Sequence, residues 1–294
     1  MSKTAFIFGL GFSGKVLARH LLRLGYAVRG TRRSIDEEMP GVSLFPFADD
    51  APLADAAAAF EGVTHVISTI AVIGGSDPVL RHHGDAIRKL GCWAGYVSAT
   101  SVYSEADGGW VTEDSPADPV TKRGQFRREA EIAWQDQLKA EVFRAAGIYG
   151  PGRSPFRDLL EGRGRIILKP GHQFNRIHVE DMGRVIAAAM EKPEAGRILN
   201  LADGSPCEAG DVIRYAADLL AVPAPVPVPF AEAELSPMAR SFYATSRRVD
   251  SSKIGRELGV ELLYPDYRHG MRAVLAEERK EGLLPHQDEF EGGF

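Results

Sequence analysis

Along the first half of the chain, short unbroken apolar runs alternate with stretches in which apolar residues recur every three to four positions. Ala5–Phe8 is a run of the first kind, and Lys15–Arg23 is of the second kind, ending at Gly25. The first pattern predicts a buried strand and the second an amphipathic helix. The alternation continues with strands at Ala27–Gly30, Phe45–Phe47 and His65–Ile70, then a helix in RHHGDAIRKLG and a strand in AGYVSAT. A helix over Gln125–Leu138 and a strand at Glu141–Arg144 follow. Strands separated by helices predict an α/β fold with a parallel, doubly wound sheet.

The pattern changes after GIYGPGRSP. GRIILKPGHQFNRIHV reads as two short strands around a Pro-Gly turn, and EDMGRVIAAAMEKP as a helix stopped before Pro193. GRILNLAD reads as a buried strand returning to the sheet. Pro223–Phe230 is too rich in proline for a helix and reads as an extended connector, and SSKIGRELGV as a short helix. Two lobes are therefore expected. The first spans residues 1–150 plus about 175–203; a smaller one is built from 151–174 and 204–294, with a cleft between them.

Composition narrows the class of function. The chain has 294 residues, a net charge of −5 and no basic tail, which argues against nucleic-acid binding. No apolar run reaches membrane-spanning length, and the first strand begins almost at Met1, so a cytoplasmic protein without leader or membrane association is expected. The two cysteines, Cys92 and Cys207, lie far apart, as in a reducing compartment. Neither a metal-ligand cluster nor a G-x-S-x-G elbow is present.

The first candidate chemistry lies between the first strand and the first helix. Gly9, Gly11 and Gly14 form G-x-G-x-x-G. The first glycine permits the tight turn, the second lets a pyrophosphate approach the backbone, and the third lets helix and strand pack closely. The helix N-terminus then faces the phosphates. This predicts a Rossmann-type dinucleotide site that includes Phe12 and Ser13 in the turn and Thr69 near the end of the fourth strand. An NAD site places an acidic residue at the end of the second strand. Here the chain reads RGTRRS, and the guanidiniums of Arg32 and Arg33 suit a 2′-phosphate. NADP is favoured, with NAD the alternative.

Several longer stretches carry a resemblance. FRAAGIYGPGR, RIHVEDM, ILNLADGSP and RRVDSSKIGRELGV…YPDYRHG together resemble the extended short-chain dehydrogenases/reductases, the NAD-dependent epimerase/dehydratase family, across nearly the whole chain. The glycine turn departs by one residue from that family's G-x-x-G-x-x-G, as in an atypical subgroup of NAD(P)-binding proteins. The resemblance places Asp49 near the adenine. It implies a substrate that is a nucleotide sugar or small polar metabolite, and a monomer or a homodimer paired through two long helices.

The same resemblance implies a Ser or Thr, a Tyr and a Lys as catalytic residues. The Ser or Thr lies four residues before the Tyr of a VYG turn; here the turn is SVYS with Tyr103, and the position holds Ala99. Strand alternation points Ser98 and Thr100 to the other face. The Y-x-x-x-K helix corresponds to DPVTKRGQFRREAE, which places Arg123 at the Tyr position, Arg127 at the Lys position and Glu131 at the following Glu. Arg123 cannot act as a base near neutral pH, whereas Arg127 can still donate to a ribose. Tyr103 is the nearest substitute phenol, read more readily as a packing residue. Tyr149 is expected to line the cleft, His82 or His83 to approach the cofactor or cap a helix, and His178 and Asp181 to be architectural, Asp181 as an N-cap or first-turn residue. Arg123, Arg153 and Arg157 point to an anionic small molecule. These residues favour a dinucleotide-binding or sensing module over the alternative, an NADP-dependent oxidoreductase or epimerase with a non-standard acid/base.

Overall fold

A computed structural model describes residues 3–72 and 74–285. The outermost ends of the two expected lobes, residues 1–2 and 286–294, lie outside the described residues. The first half contains β1 (Thr4–Phe8), α1 (Phe12–Arg23), β2 (Ala27–Arg32), β3 (Val42–Pro46), α2 (Ala56–Phe60), β4 (His65–Ser68), α3 (Pro78–Leu90) and β5 (Trp93–Ala99). A 3-10 turn over Thr100–Val102 leads to β6 (Asp107–Val111), α4 (Lys122–Leu138) and β7 (Glu141–Ala145). Then come β8 (Gly147–Tyr149), α5 (Phe156–Leu160), β9 (Ile166–Leu168), β10 (Arg176–His178), α6 (Val179–Glu191) and β11 (Ile198–Leu201). The chain closes with α7 (Ala209–Leu220), β12 (Pro227–Pro229), α8 (Pro237–Ser241), β13 (Ser246–Val249), a π-helical turn at Ile254–Leu258 and α9 (Tyr267–Lys280).

Seven strands form one sheet in the order β3-β2-β1-β4-β5-β7-β11, with every pairing parallel. This is the doubly wound Rossmann-type order. The strands read as continuous apolar runs because helices cover both faces. On one face α1 and α6 pack through Leu17, Leu21, Val185 and Ile186. On the other, α2, α3 and α4 pack through Phe60, Val79, Ile87 and Trp134. The direction of the chain reverses between β1 and β4, which opens a crevice at their C-terminal ends.

β11 returns to the sheet edge beside β7, as GRILNLAD predicts. A further core gathers α5, α7 and α9 through Phe156, Val212, Leu220, Tyr267 and Val274. Five helices go beyond the sequence reading: α2, α5, α7, α8 and α9. The two short strands flanking the Pro-Gly turn are present but do not pair with each other. β9 pairs with β12, inside the expected connector, and β10 pairs with β8. The turn at Pro170–Gly171 thus separates two sheets, because each strand finds its partner far away in sequence. Among the described residues no helix is long and apolar enough to cross a membrane, and no group of His, Cys, Asp and Glu could hold a metal.

Candidate functional site

The chain passes from β1 to α1 in three residues, Gly9 to Gly11. Gly9 has φ +93°, and a Cβ there would lie 2.8 Å from Thr69 Oγ1. The Gly9 N–H donates to Thr31 Oγ1 at 2.9 Å, and the Thr69 hydroxyl donates to the Gly9 carbonyl at 2.6 Å. Two threonines from the neighbouring strand ends therefore latch the turn. A Cβ on Gly14 would collide with the Gly9 carbonyl oxygen, so the helix sits directly on the turn. Gly11 is different: nothing lies within 4 Å of a Cβ built on it. It is the N-cap of α1, with no side-chain cap and no acidic residue in the first turn. An open approach to an uncapped helix N-terminus suits a phosphate.

A cavity of about 660 Å³ runs from this turn past Arg32, Arg33, Asp49 and Thr69. Arg32 donates from one terminal nitrogen to the Glu37 carbonyl at 3.2 Å, while its Nε is buried without a partner. Arg33 is exposed. Asp49 lies on the wall and is tied to α3: Arg81 donates to its carboxylate at 2.9 Å and His82 contacts its carbonyl at 2.8 Å. The open glycine, the bare helix end and the orphaned Arg32 donor fit a dinucleotide.

A second cavity of about 430 Å³ continues the groove, since Thr69 and Ala71 line both. Ser13, Ala99, Arg123, Arg127, Arg153 and Arg247 line this inner cleft, and among the described residues no Asp or Glu does. The register of α4 is fixed at three points. Thr121 caps the helix by accepting from Gly124 N–H at 3.2 Å. Arg127 is buried and donates to the Tyr96 hydroxyl at 3.2 Å and the Val97 carbonyl at 3.1 Å. Glu131, wholly buried, accepts from Arg144 Nε and a terminal nitrogen at 3.1 and 2.9 Å. Arg123, Arg127 and Glu131 thus share one face of α4, with the first two at the cleft.

Arg123 is exposed at the edge of the cleft, its guanidinium 5.2 Å over the Phe242 ring. Partial desolvation, then the neighbouring Arg127 charge, holds that guanidinium below the usual arginine range. Among the described residues Arg123, Arg127 and Arg153 make no ion pair. Arg153 lies over the Phe12 ring at 5.5 Å.

The expectations for Arg157, Tyr149, Ser98 and Thr100 need correction, while Tyr103 is the packing residue that the sequence favours and does not reach the cleft. It is wholly buried, donates to Asn200 Oδ1 at 2.5 Å, and carries the Arg144 guanidinium 4.8 Å above its ring. Burial, partly countered by Arg144, raises its pKa. Arg157 turns away and lies 4.0 Å from Glu161. Tyr149 packs into the core of α5, α7 and α9. Thr100 does line the cleft, because the strand ends at Ala99 and alternation stops there. Ser98 also lines it, but its hydroxyl is buried without a partner.

His83 and His178 make structural contacts. His83 is buried, accepting from Leu53 N–H at 3.2 Å, and burial lowers its pKa. His178 caps α6 through Nδ1, at 3.2 Å from Glu180 N, and burial pushes its pKa down to about 4. Asp181, in the first turn of α6, accepts from Leu263 and Tyr264 N–H at 2.8 and 2.9 Å and so pins the segment before α9. Arg247 opens the RRVD stretch that carries part of the resemblance, but the sequence reading gave it no role. It reaches the cleft from β13 and donates to the Thr100 and Glu105 carbonyls at 2.5 and 2.9 Å. The long-range pairing of β13 with β6 and the hydrogen bonds of Asn175 to Arg247 and Val249 hold it there.

No family model matches the chain. It is 29% identical to Protein YeeZ of Escherichia coli strain K12 over 289 residues, covering 90% of this chain and 97% of YeeZ. A functionally unknown conserved protein from Silicibacter pomeroyi has a solved structure that is 42% identical, with TM-score 0.87 over 94% of this chain and 99% of that one. dTDP-glucose 4,6-dehydratase of Bacillus anthracis, solved in complex with NAD, superposes with TM-score 0.75 at 15% identity, over 96% of this chain and 98% of that one. The chain therefore belongs to one family with the Silicibacter protein, and its fold is that of the NAD-dependent epimerases and dehydratases, the extended short-chain dehydrogenases/reductases.

Proposed function

We propose that this protein binds a nicotinamide dinucleotide, NADP(H) in preference to NAD(H), as a binding or sensing module without tyrosine-dependent chemistry. The observation that carries the reading is one continuous crevice with an intact nucleotide turn at one end and arginines at the other, where the family places its Tyr and Lys. The NAD bound to the Bacillus dehydratase supports the placement of the nucleotide. Gly9, Gly11, Phe12, Ser13 and Gly14 hold the pyrophosphate. Arg32 and Arg33 hold the 2′-phosphate, with Asp49 beside the adenosine and Thr69 at the turn. Arg127 donates to the nicotinamide ribose. When bound, the nucleotide supplies a hydride.

The chain's own groups limit the chemistry available to that hydride. Ala99 has no hydroxyl for a substrate oxygen, and Arg123 cannot exchange a proton near neutral pH. The alternative, an oxidoreductase with a non-standard acid/base, loses its nearest phenol because Tyr103 lies in the core. The inner cleft takes an anionic small molecule, held by Arg123, Arg127 and Arg153. In this reading the cleft lies between a nucleotide lobe and a smaller lobe built around α5, α7 and α9. The free cysteines Cys92 and Cys207 accord with a cytoplasmic setting.

Calorimetric titration with NADPH and NADH tests the reading, followed by a turnover screen with NADPH and nucleotide sugars, aldehydes and ketones. Tighter NADPH binding and no turnover are expected. Equal affinities would overturn the NADP preference. Rapid turnover would overturn the non-catalytic reading.

A further inference from the structure

The inner cleft has an uneven charge. Arg123, Arg127, Arg153 and Arg247 line it, and among the described residues no carboxylate does. Arg127 spends donors on a phenol and a backbone carbonyl, and Arg247 on two carbonyls, all of them neutral acceptors. Arg123 has a ring face rather than an anion beside it. The nucleotide groove opens into this compartment through Thr69 and Ala71. A dinucleotide with its phosphates at Gly11 therefore delivers its nicotinamide end among guanidiniums.

The two redox states of that end differ by one unit of charge. The oxidised ring is a cation and the reduced ring is neutral, while the phosphates and riboses are identical. Every contact in the groove cancels in the comparison, and the field of the inner cleft remains. We propose that the cleft selects the reduced dinucleotide, with Arg123 as the specificity-determining residue, so that the protein reports the reduced state and not the total pool. This inference rests on the dinucleotide reading of the crevice. A single unit charge about 6 Å away, in a medium between protein and water, is worth roughly a tenfold ratio of affinities. The residue sits at the cleft's edge, so the ratio is sensitive to salt.

The test is calorimetric titration of the full chain with NADPH and with NADP⁺, in low salt and in about 0.5 M sodium chloride, where the screening length falls to a few ångströms. Three proteins are compared: wild type, Arg123→Gln and Arg123→Lys. Arg123 is exposed on α4, so neither change removes a buried contact. NADPH is expected to bind about tenfold more tightly than NADP⁺ at low salt, with the ratio shrinking in high salt. Arg123→Gln lowers the ratio by tightening NADP⁺, and Arg123→Lys retains it. Equal wild-type affinities, a ratio unmoved by Arg123→Gln, or a ratio lost in Arg123→Lys would each overturn the proposal while leaving the dinucleotide reading intact. Failure of both nucleotides to bind would overturn both.

Discussion

The two ends of the crevice are built by different means. The nucleotide turn is made of backbone: three glycines, two threonine latches and a bare helix end within a short stretch of chain and its neighbouring strands. The inner cleft is made of side chains from distant segments, near residues 99, 123–127, 153 and 247. Backbone geometry tolerates few substitutions, whereas the residues that carry chemistry can be exchanged without disturbing the fold. In the proposed reading, the contrast explains how a chain can keep the nucleotide turn while Ala99, Arg123 and Arg127 stand where the resemblance puts the catalytic Ser, Tyr and Lys.

The largest effect is expected at the turn. In Gly14→Ala the new methyl meets the Gly9 carbonyl, so stability should fall by about 1–3 kcal/mol. NADPH affinity should fall with it. Urea unfolding and calorimetry measure the two losses. Gly11→Ala separates them, because its methyl enters open space: stability should stay within about 1 kcal/mol while NADPH binding weakens tenfold or more. Wild-type binding by Gly11→Ala would mean that the space in front of Gly11 is not the ligand's.

Next comes the double change Arg32→Ala, Arg33→Ala. Charge-assisted hydrogen bonds to a 2′-phosphate are worth about 1.5–3 kcal/mol, so the preference for NADPH over NADH should fall roughly ten- to a hundredfold. NADH affinity itself should barely change. A preserved preference would place the 2′-phosphate elsewhere.

Away from the crevice's lining, a buried carboxylate oxygen is left unpaired, and this gives a pH signature. Burial pushes the Asp203 carboxyl up to about 7; one oxygen accepts from Ser205 N–H at 3.0 Å and the other has no partner. The folded state therefore holds this proton more firmly than the unfolded chain, whose carboxyl titrates near 3.8. The stabilisation is full below about pH 4 and is lost as pH rises toward about 7. Asp203→Asn should remove this decline, seen as the difference between wild-type and variant stability curves. A difference curve flat across that window would contradict the assignment.

The smallest effect is expected for Tyr103→Phe. Losing the bond to Asn200 should cost about 1 kcal/mol of stability and leave NADPH affinity unchanged. A change in affinity without a change in stability would put the phenol back at the cleft.

Legibility in the sequence follows the same division. The strands and the glycine turn were readable because each is a local pattern. α7 and α9 also carry local signals, with Val212, Ala216 and Leu220 in one and Tyr267, Met271 and Val274 in the other at helical spacing. Those residues pack on each other and not on the sheet, so an alternation of strand and helix did not require them. β9 and β10 were readable as strands but not as partners, since pairing is a property of the whole chain. Arg123 and Arg127 could be placed by resemblance, and the Glu131–Arg144 pair holds their helix in that register. Arg247 could not be placed, and Arg157 and Tyr149 were misplaced, because side-chain direction around a cleft is decided by packing.

The most direct test is a crystal structure of the protein with NADPH. It should place the pyrophosphate over Gly11 and the N-terminus of α1. The 2′-phosphate should lie on Arg32 and Arg33, with Arg127 within hydrogen-bond reach of the nicotinamide ribose and Arg123 beside the ring. A nucleotide bound outside the crevice, or a tyrosine hydroxyl within reach of the space above the nicotinamide, would contradict this placement.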